Sequence, residues 1–319
     1  MEHLLAADLG GTNARFAIVE AAADRLRVAF ERTYPTTSFA GFEPALEAFL
    51  QEAQAVLALP TRAAIAFAGT AHADGGALTN RPAWRIERKA LQLRGIDAMF
   101  LNDFEALAYG VAHAEPRDWL ALQPGTPVAH GHIALVGAGT GLGVAALVWD
   151  GGRYRALASE GGHIGFAPQD EPQVELWRQL RARHRRVSAE RVVSGPGLVA
   201  IYGLLRSAAP ESAEALDDPA EVARRALGER AGIAGRALDL FLSCYGTVAG
   251  DLALAFLARG GVYVCGGIAA KLAHRLGESG FLAAFNHKGR HGELTASMPV
   301  RVVTNEKLGL LGAAYAAGR

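Results

Sequence analysis

Two segments of this chain combine glycine and threonine in a way that suits phosphate chemistry: "ADLGGTNAR", residues 7–15, and "VGAGTGLGV", residues 136–144. Glycine has no side chain to keep a ligand from the backbone N–H groups and adopts φ values other residues avoid, so a glycine-rich hairpin tip can cradle an anion. Gly10, Gly11 and Thr12 would form one cradle and Gly137, Gly139, Thr140 and Gly141 the other. Two such tips facing each other across a cleft could hold successive phosphates of a nucleotide, while either one alone reads as a plain hairpin turn. No lysine follows the glycines as in a P-loop, and neither segment opens a helix as a dinucleotide fingerprint does. Asp8 ends an apolar strand, where a carboxylate needs a cation or a hydrogen-bond donor, and magnesium fits. Asn102 and Asp103 stand where "IDAMFLND" gives way to "FEALAYGVA", a strand-to-helix switch, and their types suit a helix cap and catalysis alike.

The elements that must carry these residues follow from the hydrophobic pattern. The first hundred residues read as strand, glycine turn, strand ("ARFAIVEAA"), a polar turn at Asp24 and a third strand ("RLRVAFERTY"). A helix over "GFEPALEAFLQEAQAVLAL" and a strand at "RAAIAFAG" come next. The second half repeats the opening as "HIALVGAG", turn, "GLGVAALVWDGG", turn, "RYRALAS", which looks like an internal duplication. Helices then dominate: "QVELWRQLRARH", "SAERVVSGPGLVAIYGLL", the acidic, alanine-rich stretch after Pro210, and "GRALDLFLSCYGTVAGDLALAFLA". The buried strand "GGVYVCGGI" precedes a closing helix, "LGLLGAAYAAG". Gly246 and Gly250 read as a close helix contact, and the basic run "RQLRARHRR" as a solvated helix face.

Composition narrows the function. The chain has 319 residues, half of them hydrophobic, enough for a large core in one large or two ordinary domains. Its 32 lysines and arginines balance 32 acids, so no global field would hold it on nucleic acid or an anionic membrane. Cys244 and Cys265 are too few for a disulfide framework and lack zinc-site spacing, which points to buried thiols in a reducing cytoplasm. The start lacks the basic and apolar pattern of a signal peptide. The uncharged run from Ile133 to Trp149 is interrupted by four glycines, which suits two strands and a turn rather than a membrane span.

In order and spacing, "DLGGTNAR", "LNDFEALAYG", "GAGTGLGVA", "EGGHIGFAP", "SAERVVSGPGL" and "GGVYVCGGIA" resemble the bacterial glucokinases of the actin-like, hexokinase-type ATPase superfamily, across nearly the whole chain. The resemblance implies an α/β, two-lobed actin-like, ribonuclease H-like fold with duplicated mixed five-stranded sheets and a cleft between the lobes. Residues 1–110 with 301–319 would form the smaller lobe and 111–300 the larger. The two tips would be the phosphate-binding hairpins, with Asp8 holding Mg²⁺ directly or through water, and Gly266 and Gly267 would resemble the turn on the adenosine side.

The implied activity is transfer of the γ-phosphate of ATP to the 6-hydroxyl of D-glucose, with Asp103 taking the hydroxyl proton. Asn102, Asp103, Glu160, His163 and Glu190 would bind the sugar, whose hydroxyls need fixed donors and acceptors. Taken alone, "EGGH" reads as a turn and Glu190 as an exposed helix residue. "EGGHIGFAPQDEPQ" contains no cysteine, so the zinc-free branch is expected; Gly165 and Thr70 depart from residues common there and bear on loop shape and sugar preference. Expected partners are glucose and ATP, without nucleic acid or membrane, and a homodimer is left open. The rivals are a kinase for another hexose or an amino sugar, and a sugar-sensing regulator. Against the regulator, the first strand begins near His3, with no preceding DNA-binding helix-turn-helix.

Overall fold

In the computed structural model, which describes residues 2–22, 25–209 and 214–318, the chain divides into two units. The turn expected at Asp24 and the first residues of the stretch from Pro210 lie outside the described residues. The first unit comprises Met1–Ala114, Tyr154–Ala158 and Asn305–Arg319; the second comprises Glu115–Arg153 and Ser159–Thr304.

The strands of the first unit are β1 (Glu2–Leu9), β2 (Asn13–Ala22), β3 (Arg25–Pro35), β4 (Arg62–Phe67), β5 (Gly75–Leu78), β6 (Arg81–Glu87) and β7 (Asp97–Asn102). Five of them form a mixed sheet in the order β3-β2-β1-β4-β7, with β1 antiparallel to β2 and parallel to β4, and β4 parallel to β7. The centre of β1, Leu4–Ala7, is an unbroken apolar run because both of its faces are covered. Leu5, Ala7 and Leu9 face a core shared with the helix Phe42–Gln54, and Leu4 and Ala6 face one shared with the helix Leu308–Ala317. Phe16 stacks on Phe49 in the first of these cores, with ring centroids 5.3 Å apart.

The helix Leu308–Ala317 also lies against the helix Asp103–Ala112 at backbone distance. A Cβ at Gly110 would stand 2.0 Å from the Leu308 carbonyl oxygen, and one at Gly312 would stand 1.8 Å from that of Ala106. β5 and β6 make a separate antiparallel ribbon, absent from the sequence reading, whose Trp84 and Ile86 are buried while Arg85 and Glu87 are exposed.

The second unit contains β8 (Trp119–Gln123), β9 (Ile133–Ala138) and β10 (Leu142–Trp149); β11 (Tyr154–Ser159) follows, and β12 (Gly261–Cys265) and β13 (Val300–Val303) complete the set. In its sheet β10, β9, β12 and β13 repeat the order and sense of β2, β1, β4 and β7, so the duplication read in the sequence is a structural one. β8 pairs antiparallel on the outer side of β13, a strand the first sheet lacks. The run from Ile133 to Trp149 is thus a hairpin, as its glycines implied.

The helix Ile233–Ala255 is long and apolar enough to cross a membrane, yet most of that stretch is buried in the unit's own core. Gly246 and Gly250 seat it on the segment Phe281–Asn286, since a Cβ at either would come within 2.4 Å of the Phe281 or Phe285 carbonyl oxygen. The single helix expected over "SAERVVSGPGLVAIYGLL" is two, Ala189–Val192 and Gly195–Ser207. Pro196 has no N–H to continue the first, and Ser194 caps the second by accepting from the Gly197 N–H.

Candidate active site

In the first unit, the β1–β2 register sets Asp8 opposite Arg15 and leaves Gly10, Gly11 and Thr12 at the tip. The tip is held by its carbonyl oxygens: the Thr36 hydroxyl and Arg81 Nε donate to Gly11 O at 2.7 and 3.0 Å, and Thr36 N–H donates to Thr12 O at 2.8 Å. Among the described residues the N–H groups of Gly11 and Thr12 have no hydrogen-bond partner, the condition an anion cradle requires. No glycine of either tip has positive φ, so what the expected glycines contribute is the missing side chain rather than a left-handed turn.

β7 delivers the acid of the same unit. Asn102 is the N-cap of the helix Asp103–Ala112: its Oδ1 accepts from Phe104 N–H at 2.9 Å and its Nδ2 donates to Gly69 O at 3.2 Å. Asp103 is the first helical residue, and its Oδ1 shares the Phe104 N–H at 3.0 Å. Cap and acid therefore fall to adjacent residues. Burial pushes the Asp103 carboxyl up to about 7, the Asp8 carboxylate adds to the rise, and the hydrogen bonds pull the other way. Asp8 is itself raised by burial, against the opposing pull of Arg15.

The Arg15 guanidinium stands 3.5 Å from Asp8 Oδ2 and is shared with Glu306 at 3.2 Å, so Asp8 is incompletely neutralised. A hard divalent cation taking Asp8 and substrate phosphates fits such a donor set.

The second unit assembles the other group. At the β9–β10 tip, Gly139 N–H donates to Gly141 O at 2.8 Å, and Gly139 O accepts from Gly195 N–H at the start of the helix Gly195–Ser207, also at 2.8 Å. Nothing lies within 4 Å of where a Gly139 Cβ would be, whereas a Cβ at Gly141 would stand 2.5 Å from Glu190 Oε2. That oxygen accepts from Leu142 N–H at 3.0 Å, which ties Glu190 to the hairpin. His163 Nδ1 is 4.0 Å from Glu190 Oε1, and its Nε2 is 3.9 Å from Glu160 Oε2. The two glycines of "EGGH" let this segment lie on β10, since a Cβ at Gly162 would come 2.0 Å from Leu142 O.

Gly266 takes φ +86° beside the Ala138 carbonyl and opens the helix Gly266–Lys271, and open space surrounds Gly267. The Tyr245 hydroxyl, buried on the helix Ile233–Ala255, accepts from Ala138 N–H and donates to Val136 O, both at 3.1 Å.

The expected residues thus fall into two groups, each gathered within its own unit: Asp8, Gly10, Gly11, Thr12, Asn102 and Asp103 in the first, and the remainder in the second. Thr36, Arg81, Gly195 and Tyr245, which hold the tips, were not foreseen. They come from distant parts of the chain, and only the Asp8–Arg15 pairing could have been read from the hairpin itself.

The family model for glucokinase matches residues 5–319 of the chain. A glucokinase of Nostoc punctiforme is 37% identical, with all of both chains covered, and one of Zymomonas mobilis is 40% identical over 98% of this chain and 97% of the relative. Among solved structures, a glucokinase from an Antarctic psychrotroph superposes with a TM-score of 0.89 at 32% identity, covering 100% of this chain and 99% of that one.

Proposed function

The chain belongs to the glucokinase family of the actin-like ATPase fold and phosphorylates D-glucose with ATP, and we propose that Asp103 is the base for the sugar's 6-hydroxyl. What supports this role above all is the carboxyl's setting: it opens a helix, is pushed up to about 7, and belongs to the same unit as a phosphate-sized hairpin tip. A base with its pKa near the working pH takes a proton without being saturated by protons from water. The hydroxyl oxygen attacks the γ-phosphorus, the bond to the bridging oxygen of ADP breaks, and the hydroxyl proton passes to Asp103.

Asn102 within the first unit, and Glu160, His163 and Glu190 gathered within the second, are the side chains we assign to sugar hydroxyls. The N–H groups of Gly11 and Thr12 in the first tip and of Thr140 and Gly141 in the second bind phosphate oxygens, and Gly266 and Gly267 leave room on the adenosine side. Mg²⁺, held by Asp8 directly or through water, supplies positive charge to the phosphates when bound. The cytoplasm is the compartment we assign, in keeping with two buried free thiols.

Product analysis tests the reading. Purified protein should form glucose 6-phosphate from glucose and ATP with magnesium, and turn over mannose, fructose and glucosamine far less well. Faster turnover of one of those would make that sugar the substrate, and no turnover of any would remove the kinase assignment.

The pH profile tests the base. Only ionised Asp103 accepts the proton, so kcat/KM for glucose should fall about tenfold per unit as pH drops below a midpoint near the raised pKa. Added magnesium, by offsetting the Asp8 charge, should move that midpoint to lower pH. A profile flat from about pH 5 to 8 would exclude a base of this kind.

A further inference from the structure

The ribbon β5–β6 connects the two chemical features of the first unit. One side of it packs on Gly69, where a Cβ would stand 2.3 Å from Ala77 O on β5, and Gly69 O accepts from Nδ2 of Asn102, the neighbour of Asp103. Its turn lies on the hairpin tip: a Cβ at Gly11 would be 3.7 Å from Asn80 Cβ, and Arg81 Nε donates to Gly11 O at 3.0 Å. A guanidinium carries five N–H donors in a fixed planar fork. Arg81 uses Nε on the tip, and among the described residues its two terminal nitrogens have neither a hydrogen-bond partner nor an acid. Arg85, Arg88 and Arg94 of the same region are all paired with carboxylates.

We propose that Arg81 grips the terminal phosphate of ATP and thereby makes the site prefer a triphosphate to a diphosphate. The proposal rests on the kinase reading above and adds a residue to it. Docking Nε on a backbone oxygen fixes the guanidinium plane in advance, so little side-chain freedom remains to be lost when two phosphate oxygens accept from the terminal nitrogens. During transfer the same charge faces the equatorial oxygens of the γ-phosphate, where negative charge is spread as the old P–O bond breaks and the new one forms. Arg81 keeps its proton throughout.

Calorimetric titration of AMP-PNP and ADP, with glucose and magnesium present, separates this role from a purely mechanical one. Arg81→Gln should weaken AMP-PNP about tenfold or more while changing ADP less than about twofold. Turnover should fall ~10²–10³-fold with glucose affinity unchanged. Arg81→Lys keeps the charge and should retain part of the preference for AMP-PNP over ADP. If Arg81 merely props the Gly11 carbonyl, both nucleotides weaken together in both variants; that result, or an Arg81→Gln enzyme equal to wild type, overturns the proposal. Glucose 6-phosphate formation by the wild-type preparation checks the kinase reading separately, whichever way the variants behave.

Discussion

Asp103→Asn yields a protein that still binds glucose but turns it over ~10²–10⁴-fold more slowly. Asparagine matches aspartate in shape and keeps an oxygen that can accept from the Phe104 N–H, while the cap supplied by Asn102 is untouched. The helix start and the sugar contacts therefore survive, and what disappears is the ability to take a proton. Glucose titration by calorimetry together with single-turnover rates checks this. Turnover within about threefold of wild type would remove Asp103 as base, and loss of glucose binding would make it a sugar ligand only.

The same variant has a second signature. Asp103 binds its proton more tightly folded than unfolded, so its contribution to stability is full below the ordinary aspartate pKa of 3.8 and is lost as pH rises through about 7. Removing the charge should then raise the melting temperature at pH 8, with the gain vanishing near pH 4.

Gly312→Ala should destabilise the protein strongly. The new Cβ would fall 1.8 Å from Ala106 O and 2.5 Å from Gly110 N, both backbone atoms that cannot swing away. The helices Asp103–Ala112 and Leu308–Ala317 must part, at a cost of ~1–3 kcal/mol or more, and the melting temperature should drop by about 2–4 °C for each kcal/mol. Because Asp103 opens one of these helices, turnover should fall as well. Gly203→Ala is the control: it lies within the helix Gly195–Ser207 with nothing inside 4 Å, so added helix propensity should stabilise slightly. Melting curves of the two variants should move in opposite directions, and a Gly312→Ala curve overlying wild type would refute the close approach.

Local pattern carried much of the architecture. The apolar runs around the two glycine tips are hairpins, the doubled programme is a doubled sheet, and Gly246 with Gly250 marks a helix contact. What escaped is what local pattern does not encode. The β5–β6 ribbon hides in "GGALTNRPAWRIE", where glycine and proline mask a short alternation that buries Trp84 and Ile86. The helix expected through Leu59 ends at Gln54; beyond it Leu57 still packs on the core while Val56 and Leu59 are exposed.

At the candidate site the residues with distinctive chemistry were visible in sequence, because acids and glycines at element ends carry their own signal. The residues that brace them were not. Thr36, Arg81 and Tyr245 are ordinary residue types until the chain brings a carbonyl oxygen or an N–H of a tip beside them.

The helix Leu308–Ala317, which covers one face of the first unit's sheet, follows the strands it covers by two hundred residues or more. During translation, then, the opening hairpin and the segment bearing Asp103 emerge early and wait with Leu4, Ala6 and their neighbours uncovered until Leu308–Ala317 leaves the ribosome. A stop codon ahead of Leu308 would therefore yield a protein that keeps every proposed catalytic group and lacks the packing that covers this face of the sheet.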